Sequence, residues 1–249
     1  MTSAQPEKTA LVTGANRGIG REIARQLAAA GVHTLVTGRD RKAVAEAVEE
    51  LRGDGLPIEG LALDVLSSDS IRAAADEVAR RFGRLDILVN NAAVRVEEYG
   101  KLPSQQPLHQ WRETFESNLF GVVEVTCALL PLLHASPAGR IVNVASMLAS
   151  LTRHSDPESY TYSATFKSLP AYSASKTAVN SWTVHLAWEL RDTPIKVNSV
   201  HPGYTKTDLN DGEGDLDIPT GARTGVEMAL LGADGPTGTF VHLGDVLPW

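Results

Sequence analysis

Tyr172 and Lys176 are four positions apart in the segment Tyr172-Ser-Ala-Ser-Lys176, and Ser146 precedes them in the chain. Positions four apart lie on one face of an α-helix, so the sequence predicts a phenol beside an ammonium group. A nearby positive charge lowers the pKa of a phenol, which lets a tyrosine pass a proton to a carbonyl oxygen near neutral pH. The pair alone is more often a surface tyrosine beside a solvated lysine, so its interpretation depends on the elements that position it.

The first of these elements is a strand that runs into a glycine-rich turn and then into a helix. Residues 9–13 are mostly apolar, Gly14, Gly18 and Gly20 follow, and a helix is predicted over 21–30. Glycines let the backbone turn tightly and approach a pyrophosphate, whose charge faces the helix N-terminus. The GxxxGxG spacing differs from the commoner GxGxxG, but its place between strand and helix predicts a dinucleotide-binding Rossmann unit.

The end of the second strand bears on which dinucleotide binds. NAD-specific sites place an Asp or Glu there to bind the ribose 2′-hydroxyl, whereas this chain has Gly38 followed by Arg39. Arg39 and Arg17 could flank a 2′-phosphate as charge-assisted donors, so we expect NADP(H), with NAD(H) as the alternative. Two other interpretations stay open: both arginines are solvent-exposed while Asp40 caps the next helix, or Asp40 competes as a ribose ligand.

Composition narrows the class of protein. The 249 residues carry a net charge of −7 and no Lys/Arg-rich run, which disfavours nucleic acid or an anionic membrane as partner. The single Cys127 excludes an internal disulfide, and its apolar surroundings predict a buried residue. No His or Cys pair has metal-ligand spacing, so no metal is expected. Segment 1–8 is polar, unlike a signal peptide, and no run approaches a membrane span, so a cytoplasmic protein is expected.

Strands and helices alternate along the chain, which predicts an α/β fold in a single domain spanning 1–249. The expected architecture is a doubly wound parallel sheet of about seven strands with helices on both faces, where ligands bind beyond the strand carboxyl ends. The predicted strands are 9–13, 33–37, 58–63, 85–89, 140–145, 195–200 and 239–243, and the predicted helices are 21–30, 41–51, 70–82, 111–133, 172–191 and 220–231. The chemically distinctive residues that follow strand ends are Gly14, Gly38, Asp64, Asn90, Ser146 and Pro202.

With these motifs in order, the chain resembles the short-chain dehydrogenase/reductase family of the classical type over nearly its whole length. Segment 13–20 resembles the family's TGxxxGxG loop, and segment 90–93 resembles its NNAG motif with Ala93 in place of glycine. Asn118, Ser146, Tyr172 and Lys176 match its catalytic tetrad, and Pro202, Gly203 and Thr207 match the loop that holds the nicotinamide.

The resemblance implies a role for each matching residue. Tyr172 would be the general acid in carbonyl reduction and the base in alcohol oxidation, while Ser146 would position the substrate oxygen. Lys176 would lower the pKa of Tyr172 and bind the nicotinamide ribose, and Asn118 would hold a water that links Lys176 to solvent. The implied cofactor contacts, with Asp64, Val65 and Asn90 on the adenosine side, are Gly14, Asn16, Arg17, Gly18, Ile19, Gly20, Arg39, Asp64, Val65, Asn90, Ala92, Tyr172, Lys176, Pro202, Gly203 and Thr207.

Within the family, segment 37–40 resembles the NADP-dependent carbonyl reductases. So do the 26 positions from Ser146 to Tyr172, because most members have roughly half that. In carbonyl reductases and plant menthone-type reductases, an insertion here covers a helix face otherwise used in oligomers. We therefore expect segment 152–169 to cover that face, to wall the substrate entrance and to favour a monomer; the alternative is a disordered loop on a homo-oligomer.

The expected function is NADPH-dependent reduction of a small ketone or aldehyde. NAD(P)-dependent alcohol oxidation is the enzymatic alternative, and a non-catalytic dinucleotide-sensing regulator is the alternative of another class, since fold alone does not give function. The complete tetrad favours catalysis. Two roles stay open: His201 is packed at a strand end or contacts substrate, and Trp249 covers the substrate mouth or anchors the terminus.

Overall fold

The computed structural model describes residues 8–249 and places eight strands in one sheet. The strands are β1 (Thr9–Val12), β2 (His33–Gly38), β3 (Ile58–Ala62), β4 (Ile87–Asn90), β5 (Arg140–Val144), β6 (Lys196–Val200), β7 (Phe240–His242) and β8 (Asp245–Val246). Their spatial order is β3-β2-β1-β4-β5-β6-β7-β8, and all neighbours are parallel except β7 and β8. The predicted parallel α/β sheet is confirmed. Segment 1–7, where no signal peptide was expected, lies outside the described residues.

The eighth strand corrects the prediction of about seven. Leu243 and Gly244 connect β7 to β8, and both have positive φ, 45° and 91°. Two consecutive residues with positive φ are typical of the two-residue turns that join antiparallel strands. The chain therefore reverses at once and adds a short antiparallel edge strand.

Helices cover both faces of the sheet, as predicted. They are α1 (Gly18–Ala29), α2 (Arg41–Gly53), α3 (Ser68–Phe82), α4 (Leu108–Phe115), α5 (Gly121–His134), α6 (Leu151–Ser155), α7 (Ala164–Lys167), α8 (Pro170–Glu189) and α9 (Ile218–Ala229). Successive strand residues face opposite sides, so Val12 belongs to one core cluster with Ile23 and Val226, while Leu11 belongs to another with Leu186. Both faces of β1 are thus buried, which explains its continuous apolar run.

The helix predicted over 111–133 is divided. A π-helical turn, Glu116–Phe120, joins α4 to α5 and contains Asn118. Such turns shift the phase of a helix and are frequent at functional sites. The sequence pattern could not show this shift, because the apolar spacing on either side fits a continuous helix.

The stretch Leu108–His134 is long enough to cross a membrane, and its most apolar 18-residue window has a mean hydropathy of 1.4 and is 44% buried. This corrects the expectation that no stretch is long and apolar enough. Core helices of α/β proteins have similar composition, and Val125, Leu129 and Leu133 of this stretch lie in a core cluster. Length and composition therefore do not decide whether it meets a membrane.

The insertion 152–169 packs toward the carboxyl end of β6. Its residues Tyr160 and Phe166 contact His201 and Tyr204. The outer faces of α5 and α8 stay uncovered: Phe120 and Val184 are exposed, as is Trp188 at 68%. The expectation that the insertion covers this helix face is wrong for these side chains, because the aromatic residues of the insertion contact His201 and Tyr204 instead.

Cys127 is also exposed, which corrects its predicted burial. It lies two helical turns from Phe120, on the side of α5 that faces away from the sheet. An apolar surrounding sequence did not distinguish this side from the buried one.

Candidate active site

A cleft of about 260 Å³ lies beyond the carboxyl ends of β1, β2, β3 and β4. The chain order reverses between β1 and β4, which is where open α/β sheets bind dinucleotides. Eleven residues predicted as cofactor contacts line it: Gly14, Asn16, Arg17, Gly18, Ile19, Gly20, Arg39, Asp64, Val65, Ala92 and Thr207. The lining that was not predicted as contacts includes Gly38, Asn91, Ala93, Val94, Ser117, Asp208 and Leu209.

The glycine loop is shaped for close backbone approach. Gly14 has φ +60°, and a Cβ there would lie 2.9 Å from the Cα of Ala92. Helix α1 begins at Gly18, three residues earlier than predicted, and Arg17 caps it without a side-chain hydrogen bond. Backbone N–H groups of the first turn therefore remain free of a side-chain cap beside the cleft, a setting that suits a pyrophosphate.

The three charged residues predicted at the ribose end have different surroundings. Asp40 caps α2, since its Oδ1 accepts hydrogen bonds from the backbone of Lys42 (2.9 Å) and Ala43 (3.2 Å). Asp40 therefore caps α2, and Arg17 and Arg39 are both exposed, which agrees with the first of the two alternatives that the sequence left open. Arg39 lines the cleft, and Arg17 reaches across it to Asp208, with 2.9 Å between Nη1 and Oδ2.

Asn90 does not face the cleft, which corrects its predicted position on the adenosine side. Its Nδ2 donates to Asn143 Oδ1 and Thr126 Oγ1, both at 2.9 Å, inside the protein. Asn91 lines the cleft instead, and its Nδ2 donates to the carbonyl oxygens of Thr13 and Gly14. The two adjacent asparagines point to opposite sides because side chains alternate at the end of a strand.

Tyr172 and Lys176 lie on one face of α8, as predicted, with Lys176 Nζ 5.8 Å from the centre of the Tyr172 ring. Lys176 Nζ donates to the Val144 carbonyl oxygen at 2.7 Å. Burial raises the pKa of Tyr172 to about 12, while a hydrogen bond with Ser146 opposes the rise. Burial also lowers the pKa of Lys176 to about 8. The predicted lowering of the Tyr172 pKa is therefore wrong for this structure, because burial disfavours both charged forms.

Asn118 acts on the backbone rather than on Lys176. Its Oδ1 accepts from the Val94 N–H (2.8 Å), and its Nδ2 donates to the Val94 carbonyl oxygen (2.9 Å) and to Ser175 Oγ (3.1 Å). The side-chain amide is thus occupied in holding the segment after β4 against α8. Its predicted role in holding a water stays a prediction.

A second cavity of about 100 Å³ adjoins the cleft, since Ile19, Thr207 and Leu209 line both. The side chains of Ser146 and Tyr172 belong to its lining, so two hydroxyl groups meet at a space for a small molecule. Pro202 and Gly203 line this cavity and not the first. The insertion supplies one wall, as predicted, through Tyr160, Phe166 and Leu169.

The structure shows where His201 and Trp249 lie, the two residues whose roles the sequence left open. His201 is buried and lines the second cavity, and its Nδ1 accepts a hydrogen bond from the Met147 N–H at 3.1 Å. The Trp249 ring stacks on Phe240 at 6.0 Å, and its backbone oxygen accepts from the Thr152 N–H and hydroxyl. Trp249 therefore anchors the terminus to the insertion, outside the cavity lining.

Sequence reasoning missed Glu97, which is buried beside α8. Its Oε1 accepts from the backbone N–H groups of Ala171 (2.6 Å) and Tyr172 (3.0 Å), so it caps the start of α8. Burial raises the pKa of Glu97, and these two hydrogen bonds oppose the rise. A glutamate in a loop 74 positions before its partner gives no local signal.

Comparison with known proteins agrees with this geometry. The family model for short chain dehydrogenase matches residues 8–215. Short-chain dehydrogenase/reductase 1 of Saponaria officinalis is 36% identical over 296 residues, covering 98% of this chain and 96% of that protein. A (+)-neomenthol dehydrogenase of Capsicum annuum is 32% identical over 303 residues, covering 95% and 96%. A solved actinorhodin polyketide ketoreductase with NADPH has a TM-score of 0.80 and 29% identity, covering 98% of both chains.

Proposed function

This chain belongs to the short-chain dehydrogenase/reductase family of NAD(P)-dependent oxidoreductases, and on that premise we propose that it reduces the carbonyl group of a small ketone or aldehyde with NADPH. The observation that carries the proposal is the position of Ser146 and Tyr172. Both line a small cavity that shares lining residues with the dinucleotide cleft. A carbonyl compound in this cavity would lie between the two hydroxyl groups and the cofactor.

The chain's own groups supply the proton and the orientation, and NADPH, when bound, supplies the hydride. The Tyr172 hydroxyl gives its proton to the carbonyl oxygen, and the Ser146 hydroxyl donates a hydrogen bond to the same oxygen. Because the pKa of Tyr172 is raised to about 12, the phenol is protonated at neutral pH. The proposed reduction starts from that protonated form, whereas alcohol oxidation starts from the phenolate.

The preference for NADPH is supported at the ribose end of the cleft. Arg39 lines the cleft just after β2, where its guanidinium could donate to a 2′-phosphate, and Asp40, the acid that follows it in the chain, caps α2. The related ketoreductase was solved with NADPH. We propose further that residues 1–249 act as one domain in the cytoplasm on a small molecule, without nucleic acid or membrane. The monomer stays a prediction, weakened by the uncovered face of α5 and α8.

The experiment is turnover of NADPH with a series of small ketones and aldehydes, followed by its absorbance. Tyr172→Phe keeps the ring but removes the proton, so we expect a loss of about 10²–10⁴-fold in kcat, with NADPH still bound. Tyr162→Phe is the matched control, because Tyr162 is outside the lining of both cavities. Near-normal turnover by Tyr172→Phe, or no turnover of any carbonyl by the wild type, would contradict the proposal.

A further inference from the structure

Tyr160 lines the same cavity as Ser146 and Tyr172 but has no part in the reaction above. Its ring packs edge-on against Phe166, with centres 5.8 Å apart and an 82° angle. Phe166 packs in the same way against Tyr204, at 5.7 Å and 85°. This row of three rings joins the insertion to the loop after β6, and edge-to-face contacts fix the place of each ring.

The hydrogen bonds of His201 determine where the protons lie next to Tyr160. A backbone N–H can only donate, so the Met147 N–H makes His201 Nδ1 an acceptor without a proton. Burial, with a smaller contribution from His242, lowers the pKa of His201 to about 3, so the ring is neutral in the working range of an enzyme. The ring proton is therefore on Nε2, which lies 3.3 Å from the Tyr160 hydroxyl oxygen.

This arrangement leaves the Tyr160 hydroxyl with a proton to donate. Its oxygen accepts from His201 Nε2, and within residues 8–249 no acceptor takes the phenol proton. Burial raises the pKa of Tyr160 to about 12, so that proton is held at neutral pH. Tyr160 lines the second cavity, and the residue as a whole is 51% exposed, so a substrate in that cavity can contact this side chain.

We propose that Tyr160 positions substrate by donating a hydrogen bond to a second oxygen, and that the enzyme prefers carbonyl compounds that carry one, such as diketones and keto esters. The inference rests on the proposed function, in which Ser146 and Tyr172 hold the reacting carbonyl. His201 fixes the direction of the donor by occupying the phenol oxygen. A substrate without a second oxygen cannot accept this hydrogen bond, and sites built to bond a polar group discriminate against analogues that lack it.

The test compares kcat/KM for diketones and keto esters of varied oxygen spacing with that for the monoketone of matching size. For Tyr160→Phe we expect up to about a tenfold loss on the best two-oxygen substrate, the value of one net hydrogen bond, and no loss on the monoketone. His201→Phe should remove the same preference, and the double variant should add nothing further. Tyr162→Phe is the control, since Tyr162 lies in the same insertion, is half-exposed and contacts Lys167.

An equal loss on both substrate classes in Tyr160→Phe would mean that the residue only packs, and no loss on either would mean that it donates nothing; each overturns the inference. If the wild type reduces no carbonyl compound, the proposed function fails instead. In that case, calorimetric measurement of the binding of the same compounds to the NADPH-loaded protein tests the inference about Tyr160. A wild-type preference for the second oxygen that disappears in Tyr160→Phe supports the inference, and an unchanged or absent preference overturns it.

Discussion

Replacing Arg39 with alanine should remove most of the preference for NADPH over NADH. Arg39 lines the cleft after the last residue of β2, and residues 8–249 contain no ion-pair partner for it, so its guanidinium is available to a phosphate. A hydrogen bond to a charged group contributes about 1.5–3 kcal/mol, or about 10–100-fold in affinity. Because Arg39 is exposed, solvent screening places the expected loss for NADPH near the lower limit, about tenfold.

Arg17 should contribute less, because it already has a partner. It pairs with Asp208 at 2.9 Å, and both side chains are about three-quarters exposed. A 2′-phosphate must displace Asp208 to bind Arg17, and a surface ion pair of this kind contributes about 0–1 kcal/mol. Asp208→Asn should therefore strengthen NADPH binding by up to about fivefold, while NADH binding stays unchanged.

The assay is a fluorescence titration of NADPH and NADH with each variant, at low and at physiological salt. Arg41→Ala is the matched control, because Arg41 is an exposed arginine at the start of α2 that does not line the cleft. We expect the Arg39 effect to shrink as salt screens the phosphate. Equal losses for both cofactors in Arg39→Ala, or the same loss in Arg41→Ala, would refute the reasoning.

Three further predictions concern ionisation and assembly. The pKa of Lys176 near 8 predicts that kcat/KM falls as pH rises past about 8. In Lys176→Arg, whose side chain stays charged, this decrease should occur at a higher pH. A kcat/KM that does not change with pH would contradict this. The pKa of Glu97 is raised in the folded state, so the wild type should lose stability relative to Glu97→Gln as pH rises above 4.5. A difference in urea midpoint between the two proteins that does not change with pH would contradict this. The uncovered face of α5 and α8 predicts that the protein associates with itself and that Trp188→Glu reduces this association. A wild-type mass of 26.6 kDa by light scattering would instead support the monomer.

Local patterns in the sequence were enough to predict the sheet and most of the cleft. Strand, glycine turn and helix follow one another within 20 residues, so the position of Gly14 relative to α1 depends on nearby residues alone. The error at Asn90 and Asn91 is a matter of one residue: β4 ends at Asn90, and the side-chain alternation carries Asn91 to the cleft. A difference of one residue in the position of the strand end therefore determines which asparagine side chain faces the cleft.

Contacts between distant loops could not be predicted. Arg17 and Asp208 are 191 positions apart, Glu97 and Tyr172 are 75 apart, and Tyr160 and His201 are 41 apart. Neither periodicity nor a motif relates such residues, because each pair depends on how separate loops pack above the sheet. These contacts are also the ones on which the proposed cofactor preference, the proposed role of Tyr172 and the proposed substrate preference depend.

Burial has the largest effect on the pKa of Tyr172 and raises it to about 12, and two opposing charges lie near it at the start of α8. The N-terminus of a helix carries partial positive charge, which favours a phenolate in its first turn. Glu97 accepts hydrogen bonds from the N–H groups of Ala171 and Tyr172 at that same end, and its negative charge adds a smaller upward effect to that of burial on the pKa of Tyr172. The carboxylate thus offsets the helix end while burial removes water from the phenol. Together they keep the proton on Tyr172, which is the form that the proposed reduction needs.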